Sequence, residues 1–214
     1  MPLFDHIGAT AVVNNLNLGN LEDPVRVIGN GALANTLEAG ATVNNVDVTG
    51  NVTGGTEVGG LVGNSSGTIT NSTVVGNVTG AGDYVGGLVG KSVGYISDSS
   101  ASGAVVGVNG DFYPTNYVGG LVGESVGNIN DSSASGFRSG NDYVGGLVGK
   151  SVGDIRDSSA TGDLDFPEEQ VFPDFVFGSE YVGGLVGYSE GDVINSNAAV
   201  GVGGLEGGYV GGLV

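Results

Sequence analysis

Apolar residues recur along this chain in short runs, each soon broken by Gly, Asn, Asp or Ser. No long i, i+3, i+4 stripe appears, and glycines this dense would cost a helix about 1 kcal/mol each. Short β-friendly runs with such punctuation predict strands joined by tight corners.

The runs repeat, which decides the architecture. Val-Gly-Gly-Leu-Val begins at Val58, Val85, Val118, Val144, Val182 and Val210, at spacings of 27, 33, 26, 38 and 28 residues. Tyr84, Tyr117, Tyr143, Tyr181 and Tyr209 precede the five later copies, and Glu57 precedes the first. A second block follows each complete copy. It reads Gly-Tyr-Ile-Ser-Asp-Ser-Ser-Ala-Ser-Gly from Gly94, with close versions from Gly127 and Gly153. Looser versions start at Gly67, Ala41 and Ala11, and a last one at Gly191, so seven turns are legible. A period near 26 residues with three short strands per turn predicts one coil of a parallel β-helix. Seven coils at the inter-strand spacing make a rod about 34 Å long.

Comparing copies predicts which side chains point inward. One column holds Val13, Val43, Ile69, Ile96, Ile129, Ile155 and Val193. Another holds Leu16, Val46, Ser72, Ser99, Ser132, Ser158 and Ser196, and two places on lie Leu18, Val48, Val74, Ala101, Ala134, Ala160 and Ala198. Columns restricted to apolar or small residues face the core. Their spacing is odd across an intervening Asx column and even after it, which predicts a bend at the Asx itself. That column is Asn15, Asn45, Asn71, Asp98, Asp131, Asp157 and Asn195. Asn and Asp bond to nearby backbone and tolerate the left-handed conformation, so we assign Asn71, Asp98, Asp131, Asp157 and Asn195 a structural corner role. Where Ser and Ala replace Leu and Val, the core is expected to be thinner.

Composition refines this picture. Forty-five glycines could mean disorder, but 39% of residues are hydrophobic and 13% charged, enough to bury a core. Glycine does not recur every third residue, which excludes collagen. Five basic residues face 23 acidic ones, for a net charge of -18. Nucleic acid is therefore excluded as a partner, and an anionic membrane would repel the chain. We read the balance as adaptation to high salt, which screens self-repulsion; an ordinary acidic secreted domain is the alternative. With no Cys there is no disulfide or thiol chemistry. The start, Met1 to His6, lacks a basic region followed by an apolar one, so no signal peptide is visible, and no apolar run is long enough to span a membrane.

Gly86–Gly90 followed by Ser-x-Gly-x-Ile-x-Asx-Ser at Ser92–Ser99 resembles the GLUG motif of large bacterial and archaeal surface proteins and adhesins. The resemblance covers roughly residues 58–214, with residues 1–57 as an N-terminal cap and faded rungs. It implies an extracellular, fibrous or adhesive context and supplies no catalytic residues.

Two insertions depart from the repeat: 106–116, and 163–179. Both are expected at one corner, just before the Tyr-Val-Gly-Gly string, where they would project from one face. Asp111, Phe112, Tyr113, Phe166, Phe172, Phe175 and Phe177 are the candidate binding residues, since aromatic groups on projecting loops suit recognition. The competing reading is a mini-core folded over the solenoid flank. Asp163, Asp165, Glu168 and Glu169 offer oxygen ligands for Ca2+, but the calcium-roll nonapeptide is absent and a solvated acidic loop is the preferred reading. No cofactor is expected. Sequons stand at Asn51, Asn64, Asn71, Asn77 and Asn130.

Parallel β-helices include polysaccharide lyases and hydrolases, which need carboxylates converging in a cleft. Asp98, Asp131 and Asp157 repeat with the coil, and a repeated residue is better explained by a corner than by a unique site. The chain is therefore read as a non-enzymatic surface fibre or spike subunit of a cell envelope or virion, with an architectural envelope, sheath or decoration protein as the alternative. A carbohydrate-active enzyme ranks third. The expected partners are further copies of itself, or a cell-surface glycan or protein. The partial rung at Gly211–Val214 leads us to expect a longer parent protein or a partner covering that edge.

Overall fold

The computed structural model describes residues 1–20, 25–108, 116–162, 175–204 and 208–214. Among these, the regular elements are all β-strands, paired in parallel from coil to coil. One coil consists of Val85–Gly86, Val89–Ser92, Ile96–Ser97, Ser100–Ser102 and Val105–Gly107. The register follows the repeat: Val85 pairs with Val118, Val89 with Val122, Ile96 with Ile129, Ala101 with Ala134 and Val105 with Arg138. The fold is a parallel β-solenoid.

The walls follow the blocks of the sequence. Val-Gly strands stack into a six-stranded sheet beside the tyrosines, and Val-Gly-x-Ser strands into a seven-stranded sheet. The remaining strands form an 18-stranded sheet that bends into a serine wall and a valine wall. The strand Thr42–Gly54 belongs to both, pairing with Thr73–Val75 on one and Val78–Gly80 on the other. The N-terminal residues share this stack: Phe4–Ile7 pairs with Ala34–Leu37, which pairs with Val62–Ser65.

The core lies inside the coil. Val43, Ile69, Ile96, Ile129 and Ile155 are fully buried in one column, each stabilising by about 1.5–3 kcal/mol. Across from Ala160 the backbone itself forms the opposing wall. A Cβ on Gly146 would drive into the Gly184 carbonyl and stop 2.7 Å from the Ala160 Cβ. The second glycine is thus required in five strings: at Gly60, Gly87, Gly120, Gly146 and Gly184 a Cβ would come within 2.0–2.3 Å of the next coil's glycine carbonyl.

The Asx column bends the chain. Asn15, Asn45, Asn71, Asp98, Asp131, Asp157 and Asn195 all have φ between 47° and 55°, a left-handed conformation that Asn and Asp adopt at least cost. The bend lets Ile96 and Ser99, three residues apart, both face inward. It also turns the N–H after the bend into the coil, and from Val46 to Ser158 a ladder of serines satisfies it. The Ser72 N–H donates to Ser99 Oγ (3.1 Å), Ser99 to Ser132 (3.3 Å), Ser132 to Ser158 (3.2 Å) and Ser158 to Ser196 (3.1 Å). Each hydroxyl in turn donates to the carbonyl two residues before it, as Ser99 Oγ does to Ser97 (2.7 Å). In the later coils serine thus replaces the Leu and Val of the first two, with its N–H and hydroxyl both paired.

The two insertions leave from different corners. The first lies between Val105–Gly107 and Val118–Gly119, on the tyrosine side of the valine wall. The second lies between Ser159–Thr161 and Phe175–Gly178, on its serine side. Spacing between Val-Gly-Gly strings counts the residues in a coil but does not say on which side of a strand the extra ones fall. Two boundaries also move. Val106 is in a strand paired with Thr79, and Phe175–Gly178 is a valine-wall strand in which Val176 pairs with Arg138. Arg138 is itself fully buried in the column Val52, Val78, Val105, Arg138 and Val176, its guanidinium donating to the Gly136 carbonyl.

Candidate functional site

The most distinctive surface runs along the tyrosine edge. Tyr84, Tyr117 and Tyr143 have φ of 65°, 60° and 51°, a conformation costing a residue with a Cβ roughly 1–2 kcal/mol. The rings stack: centroids of Tyr84–Tyr117, Tyr117–Tyr143 and Tyr143–Tyr181 are each 4.9 Å apart, and Tyr181–Tyr209 5.2 Å. An aromatic pair contributes about 0.5–1.5 kcal/mol beyond its buried area, so a ring with two neighbours offsets its own backbone strain. The ladder is self-supporting only as a series. In the first copy Glu57 takes the left-handed position, φ 53°, and its carboxylate accepts from Asn64 Nδ2 at 3.2 Å.

A charged column runs alongside. Asn64, Lys91, Glu124, Lys150 and Tyr188 are successive partners on the outer side of the seven-stranded sheet. Lys91 Nζ lies 3.0 Å from Glu124 and 4.6 Å from the Tyr84 ring centroid. Tyr188 meets Tyr143 and Tyr181 edge-on, at 6.0 and 5.8 Å. Burial, then the neighbouring Tyr84 phenol, hold Tyr117 above the ordinary tyrosine value; burial and then Tyr117 do the same for Tyr143. These phenols stay neutral donors, and the faces of the inner rings are taken by one another, leaving edges and hydroxyls for solvent.

A second Asx ladder lies at the corner between the seven-stranded sheet and the serine wall. The Asp154 N–H donates to Asn128 Oδ1 and the Asp192 N–H to Asp154 Oδ1, both at 3.0 Å. The Asp192 N–H, with Arg156 next, lowers the Asp154 pKa. In the corner column Asp98, Asp131 and Asp157 stand exposed on consecutive coils, so like charges repeat at about the 4.8 Å inter-strand spacing. Among the described residues no three acidic or histidine side chains are grouped to hold a metal ion.

Of the aromatic binding candidates, Asp111, Phe112, Tyr113, Phe166 and Phe172 lie outside the described residues, as do Asp163, Asp165, Glu168 and Glu169. Phe175 and Phe177 are in a strand, on the outer side of the valine wall. The Phe175 ring lies across the next coil, where a Cβ on Gly201 would come 2.5 Å from it. Phe175 thus packs on the flank, while Phe177 is 39% exposed. The tyrosine ladder was visible in the sequence as a repeated letter. Its stacking required knowing that the coils are in register with no stagger at that edge.

The family described as the GLUG motif matches residues 140–165 and 178–203. Both segments run from the end of the valine wall through the tyrosine edge and the serine wall, and the second continues into the next valine-wall strand, Gly201–Gly204. The chain therefore carries the GLUG repeat. No curated protein and no solved structure matches it.

Proposed function

We propose that this GLUG-repeat chain is a non-enzymatic, surface-exposed structural and adhesive rod of a cell envelope or virion, working in high salt. The observation that carries the reading is the coil-to-coil repetition of its polar groups. The Ser72–Ser196 ladder, the Asx corner and the tyrosine stack each use the same side chains in coil after coil to hold the backbone. Such groups build a scaffold, and what distinguishes one coil from another is the inserted sequence at 109–115 and 163–174. The strands on either side put their points of departure at the two edges of the valine wall, and they are the parts proposed to meet a glycan or protein partner. Deleting both segments tests this: attachment to cells or to immobilised glycans should be lost while circular dichroism and molar mass stay unchanged. Undiminished attachment by the folded deletion variant would remove the role from the insertions.

A specific feature favours the architectural alternative. Val93, Val126 and Val152 stand exposed on three consecutive coils, at 51, 43 and 37%, an apolar ridge suited to a lateral subunit contact. Under that reading, charged substitutions along the ridge, and not deletion of the insertions, would abolish assembly.

A further inference from the structure

We infer that Asn51 and Asn77, out of the five sequons, are the sites at which this chain carries an N-linked oligosaccharide. The five differ in what their amide groups already do. Asn64 Nδ2 donates to Glu57 (3.2 Å), Asn71 Nδ2 to Asn44 (2.8 Å) and Asn130 Nδ2 to the Tyr95 hydroxyl (3.0 Å). The Asn130 Oδ1 is buried as well. A sugar on any of these nitrogens would have to displace or crowd a neighbour, in the same coil for Asn64 and one coil away for Asn71 and Asn130.

Asn51 and Asn77 are arranged the other way round. The Asn51 Oδ1 accepts the Asn77 N–H at 2.8 Å, and the Asn77 Oδ1 accepts the Ala104 N–H at 2.9 Å. Because a backbone N–H must meet an oxygen, these bonds fix which amide atom is which. The oxygen is held against the coil and the nitrogen is turned away from it, donating to no described residue. A glycosylated asparagine keeps its carbonyl oxygen, so the linkage preserves both bonds. Both side chains are exposed on the outer side of the valine wall. They open, with Thr53 and Thr79 of the same sequons, into a shallow polar trough of about 400 Å3 that Arg26 also lines. That volume accepts a first sugar ring without moving the backbone.

The chemistry is a group transfer from a lipid-phosphate-linked oligosaccharide. The asparagine nitrogen forms a bond to the anomeric carbon, the bond from that carbon to phosphate breaks, the lipid phosphate leaves, and one amide proton passes to solvent. Asn51 and Asn77 occupy adjacent coils in register, about 4.8 Å apart, so glycans on both would start side by side.

The inference rests on the extracellular reading, since the transfer takes place on export, and the test separates the two. The full chain is given an export leader and secreted from a eukaryotic host that N-glycosylates, and the soluble folded fraction is mapped by peptide mass spectrometry. Glycan is expected at Asn51, Asn77 or both, with Asn64, Asn71 and Asn130 bare. Thr53→Ala/Thr79→Ala, which removes both sequons and leaves the asparagines in place, should lose the glycan mass and still be secreted. Bare Asn51 and Asn77 in the folded fraction, or glycan on any of the other three, overturns the inference. So does a chain secreted only as the Thr53→Ala/Thr79→Ala variant, because the glycan would then be incompatible with the fold. The leader supplies export, so none of these results depends on where the protein resides in its own cell.

Discussion

The hydroxyl of Ser132 accepts the backbone N–H of Ser99, one coil earlier, at 3.3 Å, and donates to the Asn130 carbonyl at 2.7 Å. One small side chain so satisfies a donor that the left-handed bend at Asp98 has turned into the core, and holds its own strand in place. The serine following Asx in the repeat is therefore a hydrogen-bonding element of the coil, although its column begins with Leu16 and Val46.

Ser132→Ala should destabilise the chain by about 1–3 kcal/mol, because it leaves the Ser99 N–H buried without an acceptor. Urea unfolding followed by circular dichroism measures this as a lower midpoint. Ser132→Val, which mimics Val46 in shape, should be no better. An unchanged midpoint for both variants would show that the ladder is incidental.

Gly146→Ala should disrupt the solenoid, since the new Cβ meets the Gly184 carbonyl and Ala160, and overpacking of this kind costs roughly 1–3 kcal/mol or more. Gly55→Ala is the matched control, with nothing within 4 Å of its Cβ. Loss of soluble, folded protein in the first and wild-type melting in the second is the expected pair. Equal behaviour of the two would contradict a core whose thickness is set by glycine.

Asp131→Asn should stabilise the chain in dilute salt. Two unit charges about 5 Å apart in water repel by roughly 0.8 kcal/mol, and Asp131 has Asp98 and Asp157 on either side. Asn occupies the same column at Asn45, where its Nδ2 bonds to Asn15 Oδ1 at 2.7 Å. In molar salt, with a screening length of about 3 Å, the gain should vanish. Melting curves at the two salt concentrations check it; a gain that persists undiminished in high salt would remove the electrostatic explanation.

Stability should fall on the alkaline side through the tyrosine ladder. Tyr117 and Tyr143 have folded values above the unfolded one, which is about 10. Their contribution is therefore complete below that pH and lost as pH rises through the folded values. Tyr117→Phe keeps a ring in the stack and should move the alkaline unfolding midpoint upward, as read by phenolate absorbance alongside circular dichroism. A midpoint unchanged by Tyr117→Phe would place the alkaline transition elsewhere.

Much of the fold was legible because the coil repeats its residues in columns. Ile96, Ile129 and Ile155 mark an inward column without any structural knowledge, and the change of spacing at Asp98, Asp131 and Asp157 marks the bend. Columns say little about what lies between them. The corner of the second insertion is not legible from spacing, because Val176, the inward residue of its valine-wall strand, sits between Phe175 and Phe177 and resembles no neighbouring copy. Arg138 occupies a position that is valine in Val78 and Val105, so alignment by residue type passed over it. The stacking of Tyr117 on Tyr143 depends on register at one edge, which spacing alone does not fix.

The central claim is that the rod stands on an outer surface, and labelling intact cells or virions with a membrane-impermeant amine reagent tests it most directly. Lys91 and Lys150 lie on the outer face of the coil with side chains 29 and 24% exposed. The account predicts that labelled protein is recovered from intact particles at the same yield as after lysis. Label acquired only after lysis would contradict it.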